Sequence, residues 1–553
     1  MRKLPGTRRA WRRAARPVAS ALLLALAWCW LWSQLQGGLG RIYSPDAIGY
    51  HLLGRNLVQG RGYSADFCRD FYAEPRWPLP SRAFPPLYPL VVGVTDHLFG
   101  LGLPAGAAAN LVVLLGTLAL LAWPLRHLVA GQRWLLPAAF LWFFAHDPGY
   151  RNEVVAGRAI PLAMLLFLAF AVAADGLLTR ARRRTRMALL TGVCLAALAL
   201  TRFDQLPFCL AAFPLLFWAL ARGLGSWRGA ARPMSLVIVA FVVTLSPWAL
   251  RNTLRFGRPF ASDSLPAVFS TYVADSQLSY FAPGREPPTL RTHPALWARQ
   301  RLGFAQRNLR TLATTAGPLA WLAPLGLLAS AIALDRRRRL FAGLTLAQIA
   351  TTFASVSLTP YPDQRYYGPM HLCLALLLAL ALAAALQHGL RRARARRTLE
   401  ALAVVALLLV GGRSGDWTAV RSTLLRGQLI PHGPEEVAAQ YLLFGAAFRS
   451  LIPPGSVVAI YGAEHLHYFT GFRSIYLPNN ISQRENFLAW IARWRVAFFI
   501  VHEPSARDLG LASFALAQAP GTDLLLIDAA AFARSTRAGG QQPRTAPPAP
   551  AGG

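Results

Sequence analysis

The chain has 553 residues, 54% of them apolar, with 57 Lys and Arg against 24 Asp and Glu and a formal net charge of +33. Charged residues make up only 15%, well below the roughly 25% of soluble domains, and the apolar residues gather in long runs; this excludes an ordinary soluble protein and indicates a polytopic membrane protein. The positive charge is almost entirely arginine, Lys3 being the only lysine, and it lies between apolar runs, so no basic face is offered to a nucleic acid.

Residues 1–16 form a basic start with Arg8, Arg9, Arg12, Arg13 and Arg16, followed by an apolar run from Pro17 to Trp32 that continues past Gln34 and Gln36 without a small-residue cleavage site. This layout predicts an uncleaved first transmembrane helix rather than a signal peptide. Further spans are predicted near 104–125, 134–147, 154–174, 187–201, 206–221, 234–250, 312–334, 340–357, 366–388 and 398–412, about eleven in all. The segment Pro85–Gly100 is apolar but short, opens with two prolines and carries Asp96 and His97. Read as lying along or dipping into the membrane, it leaves Arg126 and Arg133, Arg180–Arg186, Arg222–Arg232, Arg336–Arg339 and Arg391–Arg397 on the side of the basic N-terminus, which the positive-inside rule makes cytoplasmic. Read as a full span, it would turn all of them outward.

That topology puts four loops outside, at 37–85, 147–153, 251–311 and 358–365, together with everything after Gly412. In this last part Val457–Tyr461 and Val496–Val501 read as strands, and Glu435–Leu451 and Arg484–Arg493 as helices, which predicts a small extracytoplasmic α/β domain over 413–533. Residues 534–553, rich in Pro, Gly, Ala and Gln, are predicted to be disordered. Four cysteines lie in apolar runs and only Cys68 in a polar segment, so no disulfide framework is implied.

The outer loops hold the candidate chemistry. In Ser44-Pro45-Asp46-Ala47-Ile48-Gly49-Tyr50, serine and proline mark a helix start and place Asp46 in its first turn. A carboxylate there can accept a proton from an acceptor hydroxyl; the competing reading is a helix cap made by Ser44 or Asp46. Glu153, at the end of Asp147-Pro148-Gly149-Tyr150-Arg151-Asn152-Glu153, is suited to assist that carboxylate or to help hold a divalent metal, or else to pair with Arg151 or Arg158 at the membrane border. Arg202, Arg251 and Arg365 stand beside aromatic residues, among them Phe203, Trp248 and Tyr366, at the predicted outer helix ends. They are either snorkelling side chains or a pocket for a lipid-linked phosphate, for which the planar guanidinium is well shaped. His465 and His467, two apart in a segment read as a strand, would share a face; without a third ligand they make a poor metal site. No P-loop, glycine-rich dinucleotide motif, G-x-S-x-G or zinc-ligand cysteine pair is present.

The ordered set of Asp46-x-x-x-Tyr50, Gly60-Arg61-Gly62-Tyr63, Pro85-Pro86-Leu87-Tyr88-Pro89-Leu90, Glu153, Thr201-Arg202, Pro247-Trp248 with Arg251-Asn252 and Phe256-Gly257, and Arg365-Tyr366 resembles the bacterial relatives of protein O-mannosyltransferases and aminoarabinose transferases. These are integral-membrane glycosyltransferases of the GT-C fold. The resemblance runs from Asp46 to about Leu386, and Pro453–Val458 and Thr470–Arg473 are similar to the tail of the group. It implies a polyprenyl-phosphate sugar as donor, inverting transfer at the extracytoplasmic face of the bacterial cytoplasmic membrane, Asp46 as base, Glu153 as the second acid, and Arg251 and Arg365, with Arg202, at the donor phosphate or sugar. Tyr50 and Tyr366 fall inside the same motifs, and no metal is clearly required. Many relatives carry an Asp-Glu pair where this chain has Asp46-Ala47, so the role of that glutamate does not carry over. A transporter and a non-catalytic lipid or glycan assembly protein are the competing readings, the first weakened by acids that cluster in loops and by the lack of an internal repeat.

Overall fold

The computed structural model describes residues 44–68, 75, 77–129, 134–262, 268–271, 280, 283, 287–316, 335–359, 364–389, 435–478 and 481–537. The predicted first helix at 17–32, the span at 398–412, most of the span at 312–334 and the end of the C-terminal tail lie outside the described residues. The chain divides into two compact units, one made of Met1–Arg55, Phe84–Phe260 and Arg301–Gly433, the other of Asn56–Ala83, Ala261–Gln300 and Pro434–Gly553.

The first unit is helical. Its elements are α1 (Pro45–Val58), α2 (Leu87–Phe99), α3 (Ala105–Ala122), α4 (Leu135–His146), α5 (Pro148–Val155), α6 (Ile160–Thr179), α7 (Arg184–Thr201), α8 (Leu206–Leu224), α9 (Trp227–Phe256), α10 (Pro294–Thr315), α11 (Arg336–Leu358) and α12 (Gly368–Gly389), with α1 and α10 running on into segments of the second unit. Among the described residues, six helices are long and apolar enough to cross a membrane, those at α3, α6, α7, α8, α9 and α11, and the chain is a multi-pass membrane protein. Helix α2 has 13 residues, about 20 Å at 1.5 Å per residue, which is less than a straight span needs.

Glycines set the closest helix crossings. A Cβ on Gly192 of α7 would strike the Val237 carbonyl and the Ala240 side chain of α9, and one on Gly54 of α1 would strike the Pro89 carbonyl of α2. Without a hydrophobic driving force between helices in lipid, such close backbone approach supplies much of the association energy.

The predicted span at 154–174 is corrected by the structure. The chain instead makes α5, stops and restarts as α6 at Ile160. Asp147 caps α5 by accepting a bond from the Tyr150 amide at 2.7 Å, Pro148 occupies its first turn, and Gly157 ends it at φ 64°. The Asn110 side chain of α3 then donates to the carbonyls of Glu153, Val154 and Arg158 at 3.0–3.3 Å, satisfying the backbone that the break exposes. The predicted loop at 251–311 also differs: α9 extends to Phe256, and α10 is helical from Pro294.

Helices α6 to α9 are joined by turns of a few residues and so alternate in direction. At one end of the unit lie the arginine-rich turns: Arg337 of α11 grips Asp175 of α6 through two bonds of 2.6 and 2.5 Å, and the Arg336 side chain donates to the Ala219 carbonyl of α8. At the opposite end, Ser355 of α11 bonds to the Asp204 carbonyl between α7 and α8, and His371 of α12 meets Asp147. At that same end, the buried amide of Gln348 bridges Gln205 and Thr352 at 2.7 and 3.0 Å.

The second unit is α/β. Its elements are β1 (Ser64–Ala65), β2 (Phe67–Cys68), β3 (Leu79–Pro80), α13 (Glu435–Phe448), β4 (Val457–Ile460), α14 (Ala463–Thr470), β5 (Arg473–Tyr476), α15 (Arg484–Trp494), β6 (Val496–His502), α16 (Glu503–Asp508), β7 (Ala515–Gln518), β8 (Leu524–Asp528) and α17 (Ala529–Arg537). Six strands form one mixed sheet in the order β2-β5-β4-β6-β8-β7, parallel from β2 to β6 and antiparallel beyond. Alternation along the strands feeds two cores: Val457 and Ala459 pack with Phe487, Trp490 and Phe499, while Val458 and Ile460 pack with Phe444, Phe448 and Leu466.

Two sequence readings change here. Strand β2 comes from the first loop and pairs in parallel with β5, Phe67 opposite Ser474 and Cys68 opposite Ile475. The segment with His465 and His467 is helical, not a strand, so residues two apart point about 200° from each other. His465 stacks on Tyr441 at 5.3 Å, while His467 bonds to the Phe472 carbonyl at 3.0 Å.

Candidate functional site

The first unit gathers most of the predicted site residues at the end opposite its arginine-rich turns. Ser44 starts α1, its hydroxyl accepting the Ala47 amide at 3.2 Å. Ser44 thus caps the helix, and the half-buried Asp46 stands in the first turn, at a position where the helix dipole favours negative charge. One turn on, Tyr50 is buried against Phe84 and Tyr88, with ring centroids 4.4 and 4.9 Å away.

Glu153 is fully buried and pairs with Arg158 at 2.8 Å. The same guanidinium donates from Nε to the Ser44 hydroxyl at 2.9 Å. One arginine thus links Glu153 to the residue that starts the helix carrying Asp46. The salt-bridge reading of Glu153 holds, with Arg158 as the partner, and it also brings the two acid-bearing segments together.

Arg202 sits in the turn between α7 and α8 and is clamped by Asp204: Nε lies 3.0 and 3.2 Å from the two carboxylate oxygens, and the terminal nitrogen 2.7 Å from Oδ2. The Tyr366 ring lies 5.3 Å from its guanidinium. Burial works against the charge of Arg202, but Asp204, Tyr366 and Tyr50 offset it and push its pKa well above the usual arginine range. Arg202, Asp204, Gln205, Thr352 and Tyr366 meet Ile160 and Met164 along a tight crevice.

Arg251, near the end of α9, stacks on Trp248 and Phe256 at 4.7 and 5.1 Å and donates to Asn252 at 2.9 Å. Alternation of α7, α8 and α9 puts it at the same end as Arg202. Arg365 belongs to the helical turn Gln364–Tyr367 that leads into α12; its side chain lies outside the described part.

The sequence reading gave no role to a third buried group. Asp147 accepts from Nδ1 of His371 at 2.8 Å, and Nε2 of His371 meets the Thr315 hydroxyl at 3.1 Å. Tyr367, stacked on His371, donates to Asn308 of α10 at 3.0 Å. These contacts join the starts of α5 and α12 to the last turns of α10. The signal was a histidine in an apolar run, since a polar residue at such a place needs a partner. Nearby, burial and the charges of Asp147 and Glu153 push the Tyr150 hydroxyl pKa upward. Among the described residues, no three His, Cys, Asp or Glu side chains come together as a metal-binding set.

No family model matches the chain, and no curated protein matches it. Solved structures do. It is similar to ArnT from Cupriavidus metallidurans, in the apo state at 14% identity and TM-score 0.53, covering 93% of this chain and 98% of that one. The form of ArnT bound to undecaprenyl phosphate also gives 14% and 0.53, over 92% and 97% of the two chains. The Archaeoglobus fulgidus oligosaccharyltransferase in complex with Zn and sulfate gives 11% and 0.55, over 88% of this chain and 69% of that one. The chain has the fold of the GT-C membrane glycosyltransferases.

Proposed function

We propose that this protein is an integral-membrane glycosyltransferase that moves a sugar from a polyprenyl-phosphate donor to an acceptor hydroxyl on a protein, lipid or glycan. The observation that carries the reading is the likeness to ArnT over nearly the whole of both chains, one of the matched structures being bound to undecaprenyl phosphate. The clustering of Asp46, Glu153, Arg202 and Arg251 at one end of the helical unit supports it. In this reading the arginine-rich end faces the cytoplasm and the acid-bearing end and the α/β unit face outward, as the positive-inside rule favours. Nucleotide sugars stay in the cytoplasm, so a donor already carried across by a lipid suits an outward site.

Asp46 acts as base. It takes the proton of the acceptor hydroxyl as that oxygen attacks the anomeric carbon. The bond from that carbon to the phosphate oxygen breaks, its electron pair leaves on the lipid phosphate, and the anomeric configuration inverts. Arg251 and Arg365, with Arg202, meet the developing negative charge. Glu153, through Arg158 and Ser44, fixes the start of α1 and hence the direction in which Asp46 points.

The test is sugar transfer from a panel of radiolabelled undecaprenyl-phosphate sugars by purified protein in liposomes. Wild type should turn over at least one donor and Asp46→Asn should lose about 10²- to 10⁴-fold in rate with normal insertion. Equal rates in the two proteins remove Asp46 as base, and no turnover with any donor by folded protein favours the transporter or assembly reading.

A further inference from the structure

We propose that Asp204 is an internal stand-in for the donor phosphate, holding the fork of Arg202 until the lipid phosphate displaces it. The inference rests on the reading above, in which Arg202 belongs to the phosphate-binding set. A carboxylate and a phosphate present two oxygens to a guanidinium in the same planar, two-point fashion. Asp204 already takes that arrangement, with both its oxygens against Nε and the second also 2.7 Å from the terminal nitrogen. The Tyr366 ring covers one face of the guanidinium, and an anion that takes the edge with Nε displaces Asp204 from it.

Three features make the pair exchangeable. The residues are two apart in one short turn between α7 and α8, so parting them moves no helix. Both side chains are partly exposed, 17% and 28%. The backbone carbonyl of Asp204 is held separately, by the Ser355 hydroxyl at 3.3 Å, so the turn stays anchored while the side chain swings. The carboxylate keeps the arginine aligned and its charge matched while the site is empty, and it lowers affinity for any anion that cannot outcompete it.

The experiment is direct binding of undecaprenyl phosphate to the full chain in detergent, by native mass spectrometry, for wild type, Asp204→Asn, Asp204→Ser and Arg202→Gln. A partly exposed ion pair is worth up to about 1 kcal/mol, so removing the competing charge should tighten binding about fivefold in both Asp204 variants. Arg202→Gln should weaken it. Unchanged or weaker binding in the Asp204 variants, with Arg202→Gln weak, overturns the stand-in and makes Asp204 an ordinary support of Arg202. Unchanged binding in Arg202→Gln overturns the underlying assignment of Arg202 instead. The serine variant keeps the test open should the asparagine variant fail to insert.

Discussion

The two ends of the helical unit solve the same electrostatic problem differently. At the arginine-rich end, Asp175 pairs with Arg337, 162 residues away, and His127 comes within 3.4 Å of the same carboxylate. That cluster ties the ends of α6 and α11 to the turn after α3, and breaking it loosens helices from one another. At the acid-bearing end, Glu153 pairs with Arg158, five residues away, and Arg202 with Asp204, two away. These two ion pairs are local in sequence, and the long-range ties at this end run instead from Arg158 to Ser44 and from His371 to Asp147. The ends thus differ in their arginine–carboxylate pairs, which run between helices at one end and within a turn at the other.

The contrast can be sharpened by mutation. The largest stability effect should come from Glu153→Ala, which strands the Arg158 guanidinium beside a buried cavity; removing one partner of a buried pair costs about 3 kcal/mol, and detergent-phase unfolding should show it. Replacing both residues by apolar ones of similar volume should restore most of the stability but not sugar transfer, because the link to Ser44 is gone. Equal loss in the single and double variants would break the argument.

A smaller effect should appear with pH. Burial of His51 on α1, opposed in part by Asp96 at 3.8 Å, brings its pKa down from 6.5 to about 4. The folded state therefore binds a proton at His51 only below the range in which the unfolded chain does, so stability falls as pH drops from about 6.5 towards 4. His51→Gln should flatten that slope in melts taken at pH 7 and 4.5; an unaltered slope assigns it to other groups. The smallest change should follow Asp175→Asn at the opposite end. Its partners are partly exposed, so about 1 kcal/mol should be lost, while the transfer rate should stay within twofold. A large loss of rate there would erase the distinction between the ends.

Much of this architecture was legible beforehand. The apolar runs located most of the described long helices, and the arginines marked the turns that lie together at one of their ends, because both signals are repeated and local. The break between α5 and α6 was harder, although Asp147-Pro148 and Gly157 are ordinary start and stop signals; continuous hydrophobicity around them masked it. Strand β2 could not be read, since two residues carry no periodicity and its partner lies some 400 positions on. The short stretch around His465 is ambiguous in sequence for a related reason: eight residues between two strands give too few turns to separate helix from strand. For the site, the residue types of Asp46, Glu153, Arg202 and Arg251 are visible in and beside the predicted loops, but their partners are not. That Ser44 rather than Asp46 caps α1, that Arg158 reaches it, and that His371 meets Asp147 are consequences of tertiary packing.

Strand β2 also has a bearing on the order of assembly. Phe67 and Cys68 leave the ribosome long before Ser474 and Ile475 exist, and the outer edge of β5 is where they dock. Until then that short segment has no sheet to join, and contacts of such sequence separation form late because the loop they close is long. Once docked, it covers an edge that would otherwise present unpaired backbone groups to other chains. A chain cut short before Arg473 should thus lose the lock on its own first loop as well as the missing domain, and failed synthesis would expose a segment that the finished protein keeps hidden.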